Sequence, residues 1–192
     1  MTIEQTTSAK HGGSRERTGQ LVELLNGFFS TVLNGRLLDE ATGGELTPVQ
    51  YEALAFIHRH GGCSAKALSE GLRISIPSST RLVDRLERKQ LVDRRESGVD
   101  RRLVRLTMTP VGESTLAAVR EVRIAFLQRA LGTLPDNERA TFQELLEKFL
   151  QAALCDEQTV KDCCRHCGTD HDRECVVNEA HFALLGKQIE QI

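Results

Sequence analysis

The chain has 192 residues, enough for one domain with an appended module and a substantial hydrophobic core. Hydrophobic residues at 40% exclude wholesale disorder, and 4% aromatics without tryptophan exclude a surface built of stacking platforms for single-stranded nucleic acid. The net charge of -2 hides an asymmetry: Arg73 to Arg105 carries ten basic residues against five acids, a net +5, so the remainder holds -7.

Residues 1–17 are Thr, Ser, Gly and charge without an apolar period, and read as a flexible N-terminal arm. From about Gln20, the residues Leu21, Leu24, Leu25, Phe28, Phe29, Val32 and Leu33 recur at helical spacing and predict a helix with a wide apolar face, spanning about 20–38. The stretch from Ala41 to Gly44 breaks it. Thr47 then caps a second helix with Pro48 in its first position and Ala53, Leu54 and Ile57 inside, and Gly61 and Gly62 end it. Ser64 is the expected N-cap of a short helix from Ala65 to Glu70, closed by Gly71.

Ser75 precedes a further helix that runs to about Gln90. Its spacing puts Ser79, Leu82, Val83 and Leu86 on one side, and Pro77, Ser78, Arg81, Asp84, Arg85 and Arg88 on the other. The period then changes. Leu91 to Arg95 and Arg101 to Leu106 read as two strands around a turn supplied by Gly98. Thr109 and Pro110 open a long helix to about Gly132, and Leu134 to Asp136 start another with Phe142, Leu145, Leu146, Phe149, Leu150 and Ala153 on its apolar side. A cysteine-rich tail follows from 155, with a last short helix expected over Val177 to Ile189; no internal repeat is present.

A short helix, a tight turn, a helix with a basic outer face and a basic hairpin form an ordered set whose chemistry suits duplex DNA. Small hydroxyls and arginine forks on the second helix, Ser78, Thr80, Arg81 and Arg85, can read base edges in the major groove. Arg94, Arg95, Arg101 and Arg102 of the hairpin can neutralise phosphates or enter the neighbouring minor groove.

At these residues the sequence resembles the MarR family of winged-helix regulators, from about Gln20 to Leu154. The most specific stretch reads SSTRLVDRLERKQLVDRRESGVDRRLVRLTMTPVG, Ser78 to Gly112. Ser79, Thr80 and Arg81 with Leu86 and Glu87 match the family's recognition-helix pattern; Asp100, Arg101 and Arg102 followed by Leu106 and Thr107 match its wing signature. The resemblance implies that Arg101 or Arg102 reaches the minor groove while Asp100 orients an arginine. Two departures stand out: Gln90 occupies a position where glycine often precedes the wing, and Met108 and Thr109 lengthen the join to the next helix. The expected fold is mainly α with a two-stranded β-wing. A winged-helix domain covers 18–154, with its DNA-binding core at about 46–108 and dimerisation helices at about 20–38 and 110–154; the cysteine-rich module covers 155–192. A homodimer on double-stranded DNA, two half-sites per pair, is expected, acting as a repressor. The resemblance also implies a small-molecule effector held near the second helix, where Tyr51, His58 and Arg59 sit.

Cys155, Cys163, Cys164, Cys167 and Cys175 crowd one segment of a chain whose only other cysteine is Cys63. Helical or tight-turn spacing brings Cys163 or Cys164 towards Cys167. Cys164, Cys167, His171 and Cys175 would make a three-thiolate, one-imidazole zinc site; Cys155, Cys164, Cys167 and Cys175 would make the four thiolates of an iron–sulfur cluster, and Cys163 can replace Cys164 in either. A thiol redox switch is the third use of the same residues, so the tail is read as a metal or redox sensor or as a structural metal clip. Cys63 reads as a small buried residue.

The rival enzyme class is a thiol oxidoreductase on Cys164 and Cys167, against which stands the lack of a strand-helix-strand setting; no phosphate loop or nucleophile elbow is present. A protein-interaction module that lost DNA is opposed by the +5 segment. No apolar run reaches the ~20 residues of a membrane span and the N-terminus has no signal-peptide core, so a cytoplasmic location with reduced thiols is expected.

Overall fold

A computed structural model describes residues 5–96, 104–166 and 175–187, with side chains from Arg15 to Arg95, Val104 to Cys164 and Cys175 to Lys187. Among them the chain is mainly helical with one two-stranded antiparallel sheet, and no helix is long and apolar enough to cross a membrane. It divides into two compact units, Met1–Pro48 and Val49–Ile192. The cysteine-rich tail therefore falls in the same unit as the helix-turn-helix, where the sequence suggests a separate module from residue 155.

The first unit is helical from Gln5, earlier than the expected start near Gln20. Helix α1 covers Gln5–Gly27, a π-helical segment covers Phe28–Arg36, and α2 covers Leu37–Thr42. Residues before Gln20 lack an apolar stripe, so periodicity has no purchase on them. The widened turns coincide with hydroxyls bonded back to the preceding turn, Ser30 Oγ to the Asn26 carbonyl at 2.9 Å and Thr31 Oγ1 to that of Gly27 at 2.7 Å. Gly43 (φ 63°) and Gly44 (φ 76°) end α2 in the left-handed region, where a side chain would be strained. Leu33, Leu37, Leu38 and Leu46 are buried, whereas Leu21, Val22, Leu24, Leu25 and Phe29 are exposed.

In the second unit, α3 (Pro48–Arg59), α4 (Ala65–Gly71) and α5 (Ile76–Arg88) lead into β1 (Val92–Glu96) and β2 (Val104–Met108). Four helices follow: α6 (Pro110–Leu131), α7 (Asp136–Ala153), α8 (Glu157–His166) and α9 (Val176–Leu185). The strands pair in the register Val92–Met108, Arg94–Leu106 and Glu96–Val104. Cys63 adds a one-residue third rung, exchanging backbone hydrogen bonds with Leu106 at 3.0 and 2.7 Å. Leu54, Ile57, Leu68, Val83, Leu86, Leu106 and Val119, from α3 to α6 by way of the wing, are fully buried. A smaller apolar cluster unites Leu154, Val160, Cys164 and Ala180 of the tail.

Met108 and Thr109 do not lengthen the join between wing and α6. Met108 completes β2, and Thr109 is the N-cap of α6, its Oγ1 accepting from the Gly112 amide at 3.0 Å while donating to the Gln90 carbonyl at 2.6 Å. Gln90 has φ 58°, so it adopts the conformation for which glycine would be used. At Gly112 an added Cβ would lie 2.1 Å from the Leu91 carbonyl oxygen, which explains why α6 starts so close under the wing.

Candidate nucleic-acid interface

Two serine caps build the reading head. Ser64 Oγ accepts from the Ala67 amide at 3.1 Å, starting α4, and Ser75 Oγ accepts from the Ser78 amide at 3.3 Å, starting α5 with Pro77 in its first turn. The four residues buried on α5 are Ser79, Leu82, Val83 and Leu86, the side that the period predicts. Ser79 Oγ donates to the Ala65 carbonyl at 3.1 Å and so ties α5 to the start of α4.

The opposite side of α5 presents Ser78, Thr80, Arg81 and Arg85 to solvent. Thr80 Oγ1 gives its proton to the Ile76 carbonyl at 3.1 Å and keeps lone pairs for a base-edge donor. The Ser78 hydroxyl shares a hydrogen bond with Ser75 Oγ at 2.8 Å. Arg81 and Arg85 form no side-chain ion pair or hydrogen bond among the described residues. Two cationic forks thus stand exposed together on one face of α5.

The hairpin arginines divide. Arg94 turns back on α5, donating to Asp84 Oδ1 at 2.6 Å and lying 3.1 Å from Glu87 Oε2, so it fastens the wing to the recognition helix instead of projecting outward. Two acids in the midst of a basic segment, spaced three apart on one helix, are the sequence signal for that clasp. Arg95 remains two-thirds exposed beside Asp93, 3.5 Å away. Arg105, on the opposite strand, donates to the Gly61 carbonyl at 3.0 Å. Asp100, Arg101 and Arg102 lie outside the described residues.

The helix pair α3 and α6 carries the residues considered for an effector. Tyr51 lies under the Arg123 guanidinium, 4.3 Å from carbon to ring centre, and His58 Nδ1 is 2.7 Å from Glu113 Oε2. Arg120 Nη2 is buried without a hydrogen-bond partner among the described residues. Arg59 instead faces the tail, its Nη2 2.9 Å from Cys164 Sγ.

The cysteines are spread over distinct environments. Cys155 is exposed with its thiol 3.7 Å from the Asp156 carboxylate, Cys163 is exposed, Cys164 is buried, and Cys175 caps α9 by accepting from the Asn178 amide at 3.3 Å. Among the described residues no three His, Cys, Asp or Glu side chains converge as a metal-binding group; Cys167 and His171 lie outside those residues. Cys63 is buried as expected, and burial pushes its thiol up to about 11, against a smaller opposing pull from Arg105. Its role in the sheet is not legible in the sequence, because a single bridging residue has no period.

Residues 46–104 match the family model described as MarR family. The HTH-type transcriptional repressor MdtR of Bacillus subtilis (strain 168) is 31% identical over 113 residues, covering 59% of this chain and 73% of that protein. Among solved structures, a MarR family protein from Bacillus stearothermophilus superposes with a TM-score of 0.60 at 30% identity, over 72% of this chain and 96% of that one. A mutant of MepR from S. aureus, solved bound to an oligodeoxyribonucleotide, superposes at 0.58 with 20% identity, over 71% and 97% of the two chains, a likeness of fold alone.

Proposed function

This chain belongs to the MarR family of transcriptional regulators, and on that premise we propose that it is a homodimeric repressor that reads duplex DNA with α5 and the wing. Family membership sets aside the thiol-oxidoreductase alternative. The observation that carries the reading is the face of α5. Ser78, Thr80, Arg81 and Arg85 are exposed there as a set, back to back with a side buried by Leu82, Val83 and Leu86. Donors and acceptors of that kind discriminate base pairs in the major groove, and Arg95, joined by Arg101 and Arg102 as the family pattern implies, supplies phosphate contacts beside it.

Dimerisation is supported by uncovered apolar faces. In α7, Phe142, Leu145, Leu146, Phe149 and Leu150 are all exposed, and α1 exposes Leu21, Val22, Leu24 and Leu25. Faces of that extent are buried by a second copy in a symmetric pair. A small-molecule effector held between α3 and α6 would meet the Tyr51 ring with the Arg123 guanidinium over it. The tail adds a thiol-responsive element, since Cys155 and Cys163 are open to reagents while Cys164 touches Arg59 of the reading head. Elemental analysis and an absorption spectrum of anaerobically purified protein test its chemistry. Stoichiometric zinc would assign the set Cys164, Cys167, His171 and Cys175, and iron with sulfide the four thiolates Cys155, Cys164, Cys167 and Cys175; metal-free protein favours the thiol reading.

The central test is binding to its own promoter region and to mixed-sequence duplexes across a salt series. Arg81→Ala is expected to lose about 1–3 kcal/mol at particular base positions and to change sequence preference. Arg101→Ala with Arg102→Ala should weaken binding on every sequence and flatten the salt slope. Wild-type protein that ignores all duplexes in dilute salt overturns the reading.

A further inference from the structure

Another arginine of the basic segment lies just ahead of the recognition face. Arg73 lies in the turn between α4 and α5, two residues before the Ser75 cap, held at φ 53° by hydrogen bonds from its own amide to the Glu70 carbonyl (3.2 Å) and from the Ile74 amide to that of Ser69 (3.0 Å). Its guanidinium is paired with the carboxylate of Asp162, 89 residues further along the chain on α8. Gln158, one turn earlier on α8, donates to the other oxygen of Asp162 at 2.9 Å and so aims the carboxylate. Two residues beyond Asp162, Cys164 receives Arg59 from the end of α3. The tail helix therefore meets the reading head at two arginines, one of them at the entrance to the recognition helix.

We propose that α8 is an intrachain brake on DNA binding, in which Asp162 occupies an arginine that otherwise contacts a phosphate. The proposal rests on the DNA-binding reading. Residues flanking the N-terminus of a recognition helix are placed to meet the sugar-phosphate backbone. A guanidinium binds carboxylate and phosphate oxygens with the same fork of donors, so the two anions compete for Arg73. The competition is open on the arginine's side, because the Arg73 side chain is 66% exposed against 29% for Asp162: a phosphate reaches the guanidinium from solvent while the half-buried carboxylate stays with α8. The module stays folded meanwhile on its own apolar cluster of Leu154, Val160, Cys164 and Ala180. Cys164 belongs both to that cluster and to the contact with Arg59, so a change at its thiol that turns α8 also moves Asp162.

The test uses the full chain, reduced, with a fluorescent mixed-sequence duplex titrated over a range of salt. Asp162→Asn should tighten binding ~2- to 5-fold at low salt and steepen the slope of log K against log salt by about 0.9 per subunit. Arg73→Gln should cancel the gain, the double variant binding like Arg73→Gln alone. Gln158→Ala, which only loosens Asp162, should act in the same direction by less and serves if Asp162→Asn does not fold. Unchanged or weaker binding of Asp162→Asn, or a gain that survives Arg73→Gln, overturns the brake while leaving the regulator intact. Absence of any duplex binding by wild type sinks the regulator reading and the brake with it.

Discussion

The reading head and helix α7 are built from the same kind of apolar stripe, yet one is covered and the other bare. Leu54 and Leu86 have no exposed surface, while Leu145 and Phe149 are 59% and 61% exposed and α7 buries no residue at all. Burying a side chain of this size contributes about 1.5–3 kcal/mol, so the head carries its stability within one chain, and α7 holds a similar driving force unspent. Periodicity tells which side of a helix is apolar. It does not tell whose surface covers it.

The largest expected effect separates the two regions directly. Leu145→Asp with Phe149→Asp on α7 should convert a dimer to a monomer in sedimentation and weaken duplex binding roughly 100-fold or more, because each half-site is then gripped alone. Thermal stability of the isolated chain should change little, since both side chains are exposed in it. A dimer that survives the double substitution would place the interface elsewhere.

Packing inside the head gives the next effect. Gly112→Ala drives a Cβ to within 2.1 Å of the Leu91 carbonyl and 3.1 Å of Met108, so the wing and α6 must part. A loss of about 1–3 kcal/mol follows, read as a lower melting temperature. The same substitution at Gly27, where nothing lies within 4 Å and φ is -58°, should stabilise by about 0.5–1 kcal/mol through helix propensity. Equal effects at the two glycines would erase the contrast between a packed head and an open flank.

What is legible in the sequence follows the range of the signal. Ser64 and Ser75 announce their helices because a cap acts within three residues, and the buried set of α5 is readable because it recurs at helical spacing from Ser79 to Leu86. The helical backbone before Gln20 escapes notice for want of an apolar stripe, and Arg94 reads as a DNA contact because a lone cation gives no hint of its orientation; the acids at 84 and 87 are the clue. Cys63 joins the sheet through one residue, and Arg59 and Arg73 meet partners 105 and 89 positions away. No local pattern encodes contacts that the fold itself creates. Gln90 is intermediate: the family pattern marks it as unusual, and its φ of 58° shows why. Gln90→Gly should therefore stabilise the head by about 0.5–1 kcal/mol in a denaturant titration, relief of left-handed strain outweighing the added freedom of the unfolded chain.

At neutral pH the smallest effect of all, none, is expected from Cys63, and in alkali it distinguishes the two kinds of surface. Cys63 is held neutral by burial, its thiol raised from 9.0 to about 11, while Cys155 and Cys163 are exposed. Below pH 9 the folded and unfolded chains both keep the Cys63 proton, and the residue adds no pH dependence. From about 9 to about 11 the unfolded chain loses that proton while the folded one retains it, so unfolding is favoured as pH rises; beyond that range both are ionised and the loss is complete. Other groups titrate in this range, and the difference in stability between wild type and Cys63→Ala isolates the one thiol. That difference should be flat to pH 9 and then fall against the wild type, with maleimide reacting at Cys155 and Cys163 well before Cys63. A flat difference through pH 11, or early labelling of Cys63, would mean that the third rung of the sheet opens to water and that the head is less closed than its core residues imply.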